Sequence, residues 1–515
     1  MKRLPLVLAT ALAGLSLLPV VTNPTLEWTL IGTAVALASW QCFLEIRHSV
    51  LTVSIVLRPQ HYVQACAQGA VLLYWGWYWR EVYDSAHLLL AQLLFAYAFD
   101  MLLSWSRRHT YSLGFSPVPV IFSINLFLWF KPDWFYLQFL LIGLGFAAKE
   151  FLRWQKDGRQ VHIFNPSSFP LGLFSLGLII TGTTNLTWGQ EIANTLNYAP
   201  QIYLVIFLVS LPGQFLFGVT TMTMSAVATM YGFGLLYFAL AETYYFYDAY
   251  IPIAVFLGMH LLFTDPSTAP RSELGRVIFG AMYALSVIVL YGVLETLGLP
   301  RFYDKLLAVP VINLLIQVID RLVQTKPMRQ IDPAVLLSKT VEKSRNLAYI
   351  GLWIIIFLLM NTVQGVGDTH RGHWVMFWKH ACADDRPNAC RHFGVMVSTY
   401  CNRGSGWACN EYGMLLQPER RPQLAASAFD RACELGFSAG CINRDPQPGA
   451  SPVSMQPTLV DYDIVLRQGK GPLPVLSSLQ IYQRACEQGF SDACQEACDL
   501  GDRRACDIVK HHDQR

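Results

Sequence analysis

Two seven-residue stretches place an amide or acid, a proline and two hydroxyls in the same order. Phe164–Pro170 reads FNPSSFP, and Thr264–Pro270 reads TDPSTAP. Asn165 and Asp265 suit helix N-caps, because their side chains accept hydrogen bonds from first-turn N–H groups. The following proline fits the first helical position, where no N–H is needed. Ser167 and Ser168, or Ser267 and Thr268, then fall in the first turn. Each start carries unpaired donors and the positive end of a helix dipole. Inside a bilayer such donors must face protein, a cavity or a ligand, so the chemistry on offer is binding of a polar or anionic group. His162 stands beside the first motif. Lys149, Arg153 and Arg276 are cations that suit either an anion or an interfacial anchor. Matching interruptions in two halves of a membrane chain point to a binding site between them. Both motifs are equally consistent with silent caps at the membrane surface. Four spans separate the copies, which puts both on one membrane side and requires a re-entrant half-helix if the symmetry is inverted.

The second chemistry is thiol chemistry. Ten of the twelve cysteines form five pairs of one spacing: Cys382/Cys390, Cys401/Cys409, Cys433/Cys441, Cys486/Cys494 and Cys498/Cys506. Eight residues of continuous helix rise about 12 Å, whereas disulfide-bonded Cα atoms lie within about 7 Å. A turn between the partners removes the conflict, and Gly436, Gly489 and Gly501 sit where a helix would end and reverse. Each pair is expected to join the end of one helix to the start of the next. Zinc favours closer C-x2–4-C spacing, and neither C-x-x-C nor C-x-x-C-H occurs. Structural disulfides imply an oxidising compartment. Cys42 and Cys66 are read as unpaired packing residues.

These residues need elements to hold them. Of 515 residues, 53% are hydrophobic and 14% charged, where a soluble chain carries about a quarter charged. The shortage is confined to the part before about Val363. Thirteen apolar spans are expected, beginning near Leu4, Glu27, His61, Ser85, Gly114, Asp133, Asn165, Pro200, Val219, Tyr250, Gly275, Tyr303 and Leu347. Arg and Lys fall in alternate loops, as the positive-inside rule requires for a cytoplasmic N-terminus. An odd count then puts the tail outside, in the periplasm of a bacterial inner membrane. The first span also reads as a signal peptide. The expected fold is all-α: a polytopic helical membrane domain with membrane lipid as its partner, followed by a disulfide-linked α-solenoid. The expected divisions are 1–57 (N-terminal spans), 58–323 (main membrane domain), 324–346 (basic linker), 347–363 (last span) and 364–515 (cysteine-rich tail, with an insertion at 442–474). No nucleic-acid motif or basic stripe is present.

The tail's ACELGFSAGC, ACEQGFSDAC and ACDLGDRRAC resemble the Sel1-like repeat family, and helical repeats of this kind act as binding scaffolds. This implies an extracytoplasmic protein partner. The stretches AAKEFLRWQKDGRQVHIFNPSSFPLGL, MHLLFTDPSTAPRSELGRVIFGAMYALSVIVL and LLAVPVINLLIQVIDRL resemble another superfamily. It contains the D subunit of the Rnf electron-transport complex, the B subunit of the sodium-pumping NADH:quinone reductase, and an enediyne-associated UnbU-like branch that this chain resembles more. The resemblance implies FMN in the membrane domain, joined to a threonine through a phosphodiester, with redox partner subunits. Thr220 in GVTT is the expected attachment residue and Thr221 the fallback. Back-bonding to the helix is the competing role for both. Noncovalent flavin would place its phosphate at the capped starts. His87, His162 and His260 are possible haem ligands or polar packing residues, and Asp100 and Glu242 are candidates for a proton path. The expected function is a membrane component of an electron-transport-like system. The alternatives are a small-solute or ion transporter without a redox cofactor, and a membrane-anchored assembly scaffold.

Overall fold

The structure is a computed structural model that describes residues 2–47, 50–156, 158–336, 342–363, 365–367, 370–417, 421–445, 451–467 and 475–512. Helix dominates, and among the described residues the sheets are two two-stranded ribbons. Thr52–Ile55 pairs parallel with Thr110–Leu113, and Arg153–Lys156 pairs antiparallel with Arg159–His162. The chain divides into two compact units. One comprises Met1–Gly232 with Ile253–Thr362, the other Phe233–Pro252 with Val363–Arg515.

Among the described residues six helices are long and apolar enough to cross a membrane: Pro24–Ile46, Ala86–Arg108, Thr220–Ala241, Glu273–Thr296, Arg301–Val323 and Lys343–Thr362. A seventh crossing is available if Gly189–Tyr198 and Ile202–Phe217, bent by 100°, act as one span. The expectation of thirteen full spans is therefore corrected. A helix lies at each expected place, but several are too short. Pro117–Asn125 and Ile253–Leu261 have nine residues each, about 13 Å of rise, or roughly half a hydrocarbon core. The expected parity argument for the side of the tail falls with the count.

The half-length helices lie inside the first unit. Ile253–Leu261 is buried at every position, and the Ser123 hydroxyl donates to Leu261 O at 3.4 Å. Interrupted backbone at membrane depth is tolerated where protein covers it. Close helix contacts depend on glycine. A Cβ at Gly280 would overlap the Met222 carbonyl, and one at Gly172 would press on Leu306 O and Pro310. Cys42 and Cys66 are exposed, which corrects their reading as packing residues.

The second unit is a series of short helices, and its ten cysteines meet in the pairs that the spacing suggests. The Cα–Cα separations are 4.5 Å for Cys382–Cys390 and for Cys401–Cys409. They are 4.6 Å for Cys433–Cys441 and for Cys486–Cys494, and 4.7 Å for Cys498–Cys506. All five lie at disulfide-bonding distance. The first cysteine of each pair is the next-to-last residue of its helix: Cys382 in Val375–Ala383, Cys401 in Ala389–Asn402, Cys433 in Pro422–Glu434, Cys486 in Ser478–Glu487 and Cys498 in Ser491–Asp499.

The second cysteine is not quite at the helix start that was expected for it. Cys409, Cys441, Cys494 and Cys506 are each three residues inside the helices beginning at Gly406, Ser438, Ser491 and Arg503. That offset brings the sulfur to the end of the first turn, level with the preceding helix's last turn. Cys390 departs from the others, standing one residue inside Ala389–Asn402. Its loop, ADDRPNA, holds a proline and lacks the glycine. The chain reverses through a positive-φ residue three places after the first cysteine: Gly404, Gly436, Gly489 or Gly501. In the first pair Asp385 takes that place with φ 54°, and Asn388 adds a second positive φ of 57°. Aspartate and asparagine are among the few side chains that tolerate this region. The core of the unit gathers Trp378, Phe393, Trp407, Phe437 and Phe490. Tyr244 from the 233–252 segment joins it.

Candidate functional site

The two motifs meet. The Asn165 Nδ2 donates to Leu262 O at 2.9 Å, tying the first motif to the segment that leads into the second. His162 Nε2 lies 3.3 Å from Asp265 Oδ2. Both motifs line one cleft of about 100 Å³.

The first motif is a cap, two residues displaced from expectation. The regular helix is Ser168–Thr181, with Ser167 at the N-cap position. Asn165 Oδ1 still accepts from Ser167 N (2.9 Å), Ser168 N (3.2 Å) and the Ser167 hydroxyl (2.7 Å). The Ser168 hydroxyl turns back to Asn165 O at 3.4 Å. Asn313 Oδ1 accepts from Asn165 N at 3.4 Å. Gly145 lets the Pro166 carbonyl approach the helix Tyr136–Phe151, because any Cβ there would overlap Pro166 O.

The second motif is corrected. It opens only the three-residue turn Pro266–Thr268; the long helix begins at Glu273, capped by the Ser272 side chain on Gly275 N. Asp265 Oδ1 accepts from Ser267 N at 3.0 Å. Its Oδ2 accepts from the Thr268 hydroxyl at 3.4 Å and faces His162. Burial pushes the Asp265 pKa up. The hydrogen bonds from His162 and the Ser267 N–H, with the nearby Lys149 charge, together outweigh burial and hold it below the ordinary aspartate value. Asp265 is thus an ionised acceptor whose two oxygens are both engaged by donors.

His61, Gln64, Ser116 and Lys149 complete the wall. The Lys149 ammonium donates to the Ser116 hydroxyl at 3.2 Å. Of the expected residues, the cleft gathers His162, Asn165, Ser167, Asp265 and Ser267. Thr268 and Ser168 stand behind them as internal bonds. Arg276 goes elsewhere: its guanidinium donates to Glu273 Oε1 (2.7 Å) and Pro270 O (3.2 Å). Glu273 Oε2 accepts from the Thr221 hydroxyl at 2.6 Å. Thr220 is buried beside that pair, and its hydroxyl has no hydrogen-bond partner among the described residues. Sequence reasoning missed His61, Gln64 and Ser116. The available signal was proline: Arg58–Pro59 and Ser116–Pro117 start helices as Asn165–Pro166 begins a cap.

His260 lies away from the cleft wall, among the rings of Phe207, Phe256 and Trp353, with Nδ1 bonded to Phe256 O at 2.7 Å. His87 is not in the wall either; its Nδ1 lies 3.0 Å from Asp84 O. Among the described residues no group of three or more His, Cys, Asp or Glu side chains is arranged to hold a metal ion. Compared with family models, with curated proteins and with solved structures, the chain finds no match in any of the three.

Proposed function

We propose that the first unit is a membrane domain that binds a small solute through a carboxylate or phosphate group, in the manner of a transporter. The observation that carries this reading is the meeting of the two interrupted segments around one polar cleft, through Asn165–Leu262 and His162–Asp265. Lys149 and His61 supply positive charge or donors on the wall. The Asp265 carboxylate is already engaged by His162, the Ser267 N–H and the Thr268 hydroxyl, which leaves Lys149 as the cation facing the cleft. The cleft has room for one oxyanion group. Drug-sized ligands and cofactors need about 300 Å³ or more, so a flavin ring would lie outside it, with only the phosphate end inside. The basic loops support a cytoplasmic mouth in a bacterial inner membrane, and the paired cysteines support an oxidising compartment for the second unit. That unit, with its resemblance to Sel1-like repeats, serves as an extracytoplasmic docking module.

The test is calorimetric titration of the full chain in nanodiscs with inorganic phosphate and with acetate. Binding by one of them, weakened at least about tenfold in Lys149→Gln and His162→Gln, is expected. Absence of binding by both, or equal binding by the variants, removes the reading.

The Thr220 hydroxyl favours a second reading, an electron-transport component. It is buried without a partner at the start of a 22-residue helix, and the Arg276 guanidinium lies beside Gly218, just before it. An FMN phosphodiester would find a free oxygen and a cation there, and the bound flavin would supply one- and two-electron transfer. Absorbance near 450 nm, and in-gel flavin fluorescence lost in Thr220→Val, would establish it.

A further inference from the structure

The second unit contains a backbone clamp. The non-helical segment Ser451–Thr458 crosses the helices Gly406–Leu416 and Ser438–Arg444. Asn443 holds one residue of it at both ends: Val453 N donates to Asn443 Oδ1 at 2.7 Å, and Asn443 Nδ2 donates to Val453 O at 2.7 Å. Asn410 Nδ2 donates to the same carbonyl at 3.1 Å, and Asn410 Oδ1 accepts from Asn443 Nδ2 at 2.8 Å. Both carboxamides are buried. A residue offers its N–H and C=O to one side only when extended, as in a hydrogen-bonded strand pair. The two asparagines therefore read backbone, without regard to the side chain.

The occupant is held mainly by polar bonds, with Val453 packed, partly buried, against the core of the unit. No side chain from Ser451 to Thr458 is buried. The Ser454 hydroxyl donates to Glu411 Oε1 at 2.8 Å, and Glu411 is paired with Lys379 at 2.9 Å. Asp461 fastens the far end by accepting from Thr458 N and its hydroxyl, at 2.9 and 2.7 Å. Against the segment lies a cleft of about 650 Å³ lined by Met376, Lys379, Trp407, Phe490, Ser491 and Asp492 on one side and by the segment's own residues 454–457 on the other. Aromatic walls of this kind give affinity when a side chain fills them.

We propose that this groove binds an extended, uncharged peptide segment of a partner protein, with Ser451–Thr458 as a built-in occupant that the partner displaces. The partner presents one residue's backbone to Asn443 and Asn410, a hydroxyl to Glu411 and an apolar side chain to the Met376–Trp407–Phe490 cleft. The proposal rests on reading the second unit as a docking module, and it is independent of any ligand in the first unit.

The probe is a fluorescein-labelled synthetic peptide of residues Ser451–Thr458 carrying Met455→Trp, titrated by anisotropy into the detergent-purified full chain. Val453→Pro in the chain removes the occupant's N–H, and it is expected to tighten peptide binding about tenfold, the worth of one hydrogen bond. Adding Asn443→Ala should abolish that binding, as should N-methylation of the peptide's valine. An oxidised, folded Val453→Pro chain that ignores the peptide overturns the clamp. Binding indifferent to N-methylation does the same. Should Val453→Pro fail to fold, a protease site inserted at 447–449 releases one end of the occupant after folding, and the same titration and outcomes apply. Failure of the peptide removes this groove alone; docking by another face would still appear as cross-linking of the intact chain to a partner.

Discussion

Asn165 does two jobs with one carboxamide. Its oxygen caps the Ser168–Thr181 helix, and its nitrogen crosses to Leu262 O. Asn165→Ala leaves those N–H groups and a carbonyl without side-chain partners in a buried place. A lost N-cap costs about 0.5–2 kcal/mol, and the orphaned groups place this site at the upper end. Asn165→Asp keeps the cap acceptor but not the crossing donor, so thermal unfolding should rank the wild type above Asp and Asp above Ala. A second residue, His370, gives the other unit a pH response. It is buried, and its Nδ1 accepts from Gly372 N at 3.0 Å. Burial, then the charge of His373, lowers its pKa from 6.5 to about 3. Between those values the unfolded chain binds a proton that the folded chain refuses. Stability is therefore complete above about pH 6.5 and is lost progressively as pH falls towards 3. Melting temperatures of His370→Gln should fall less steeply over that window; an equal slope would place the acid sensitivity elsewhere.

At the scale of elements, glycine decides how closely the motif can be held. Gly145→Ala puts a Cβ into the Pro166 carbonyl, so the first motif must shift. The expected result is about a tenfold loss of oxyanion affinity in the nanodisc titration, since misplacement of the cap moves Ser167 and His162 together. Gly177 in the neighbouring helix has nothing within 4 Å of such a Cβ. Gly177→Ala should leave affinity unchanged and stabilise by up to about 1 kcal/mol. In the second unit, Gly489 has φ 94°, and Gly489→Ala should lower the melting point by the equivalent of about 1 kcal/mol or more. Positions of this second kind were legible in the sequence, because the A-C-x-x-G spacing repeats and demands a reversal. The partner of each cysteine was legible for the same reason. How far Cys409, Cys441, Cys494 and Cys506 enter their helices was not, because spacing counts residues across a turn without saying where the next helix begins. The helices were legible too, since apolar runs mark each of them. Their lengths were not. Pro117–Asn125 and Ile253–Leu261 look like parts of full spans because nearly every residue in them is apolar or small. Only packing shows that the chain stops halfway and turns inside protein. The second motif misled for a related reason: Asp265–Pro266 carries an N-cap pattern, but Ser272 with Glu273 competes for the start of the same helix and wins. His61 and Ser116 were hidden because a cleft built from five segments leaves no spacing to read.

At the scale of the molecule, cysteine pairing is confined to one unit. All ten paired cysteines lie in the second, while Cys42 and Cys66 are exposed in the first. A maleimide applied to the native full chain should therefore add two labels per molecule. After reduction and unfolding it should add twelve, which intact mass spectrometry distinguishes directly. Each closed loop is short, and loop-entropy bookkeeping gives roughly 2–3 kcal/mol per bridge for a loop of this size. Five bridges across small helices with modest cores are then a large share of that unit's stability. Reduction should move only the unfolding transition of the second unit, by many degrees, and leave that of the membrane unit in place. Removing one bridge with Cys486→Ser and Cys494→Ser should cost about one fifth of the effect. If reductant instead lowers both transitions equally, the two units do not unfold independently, and the division of labour between a membrane ligand site and a docking module loses its physical basis.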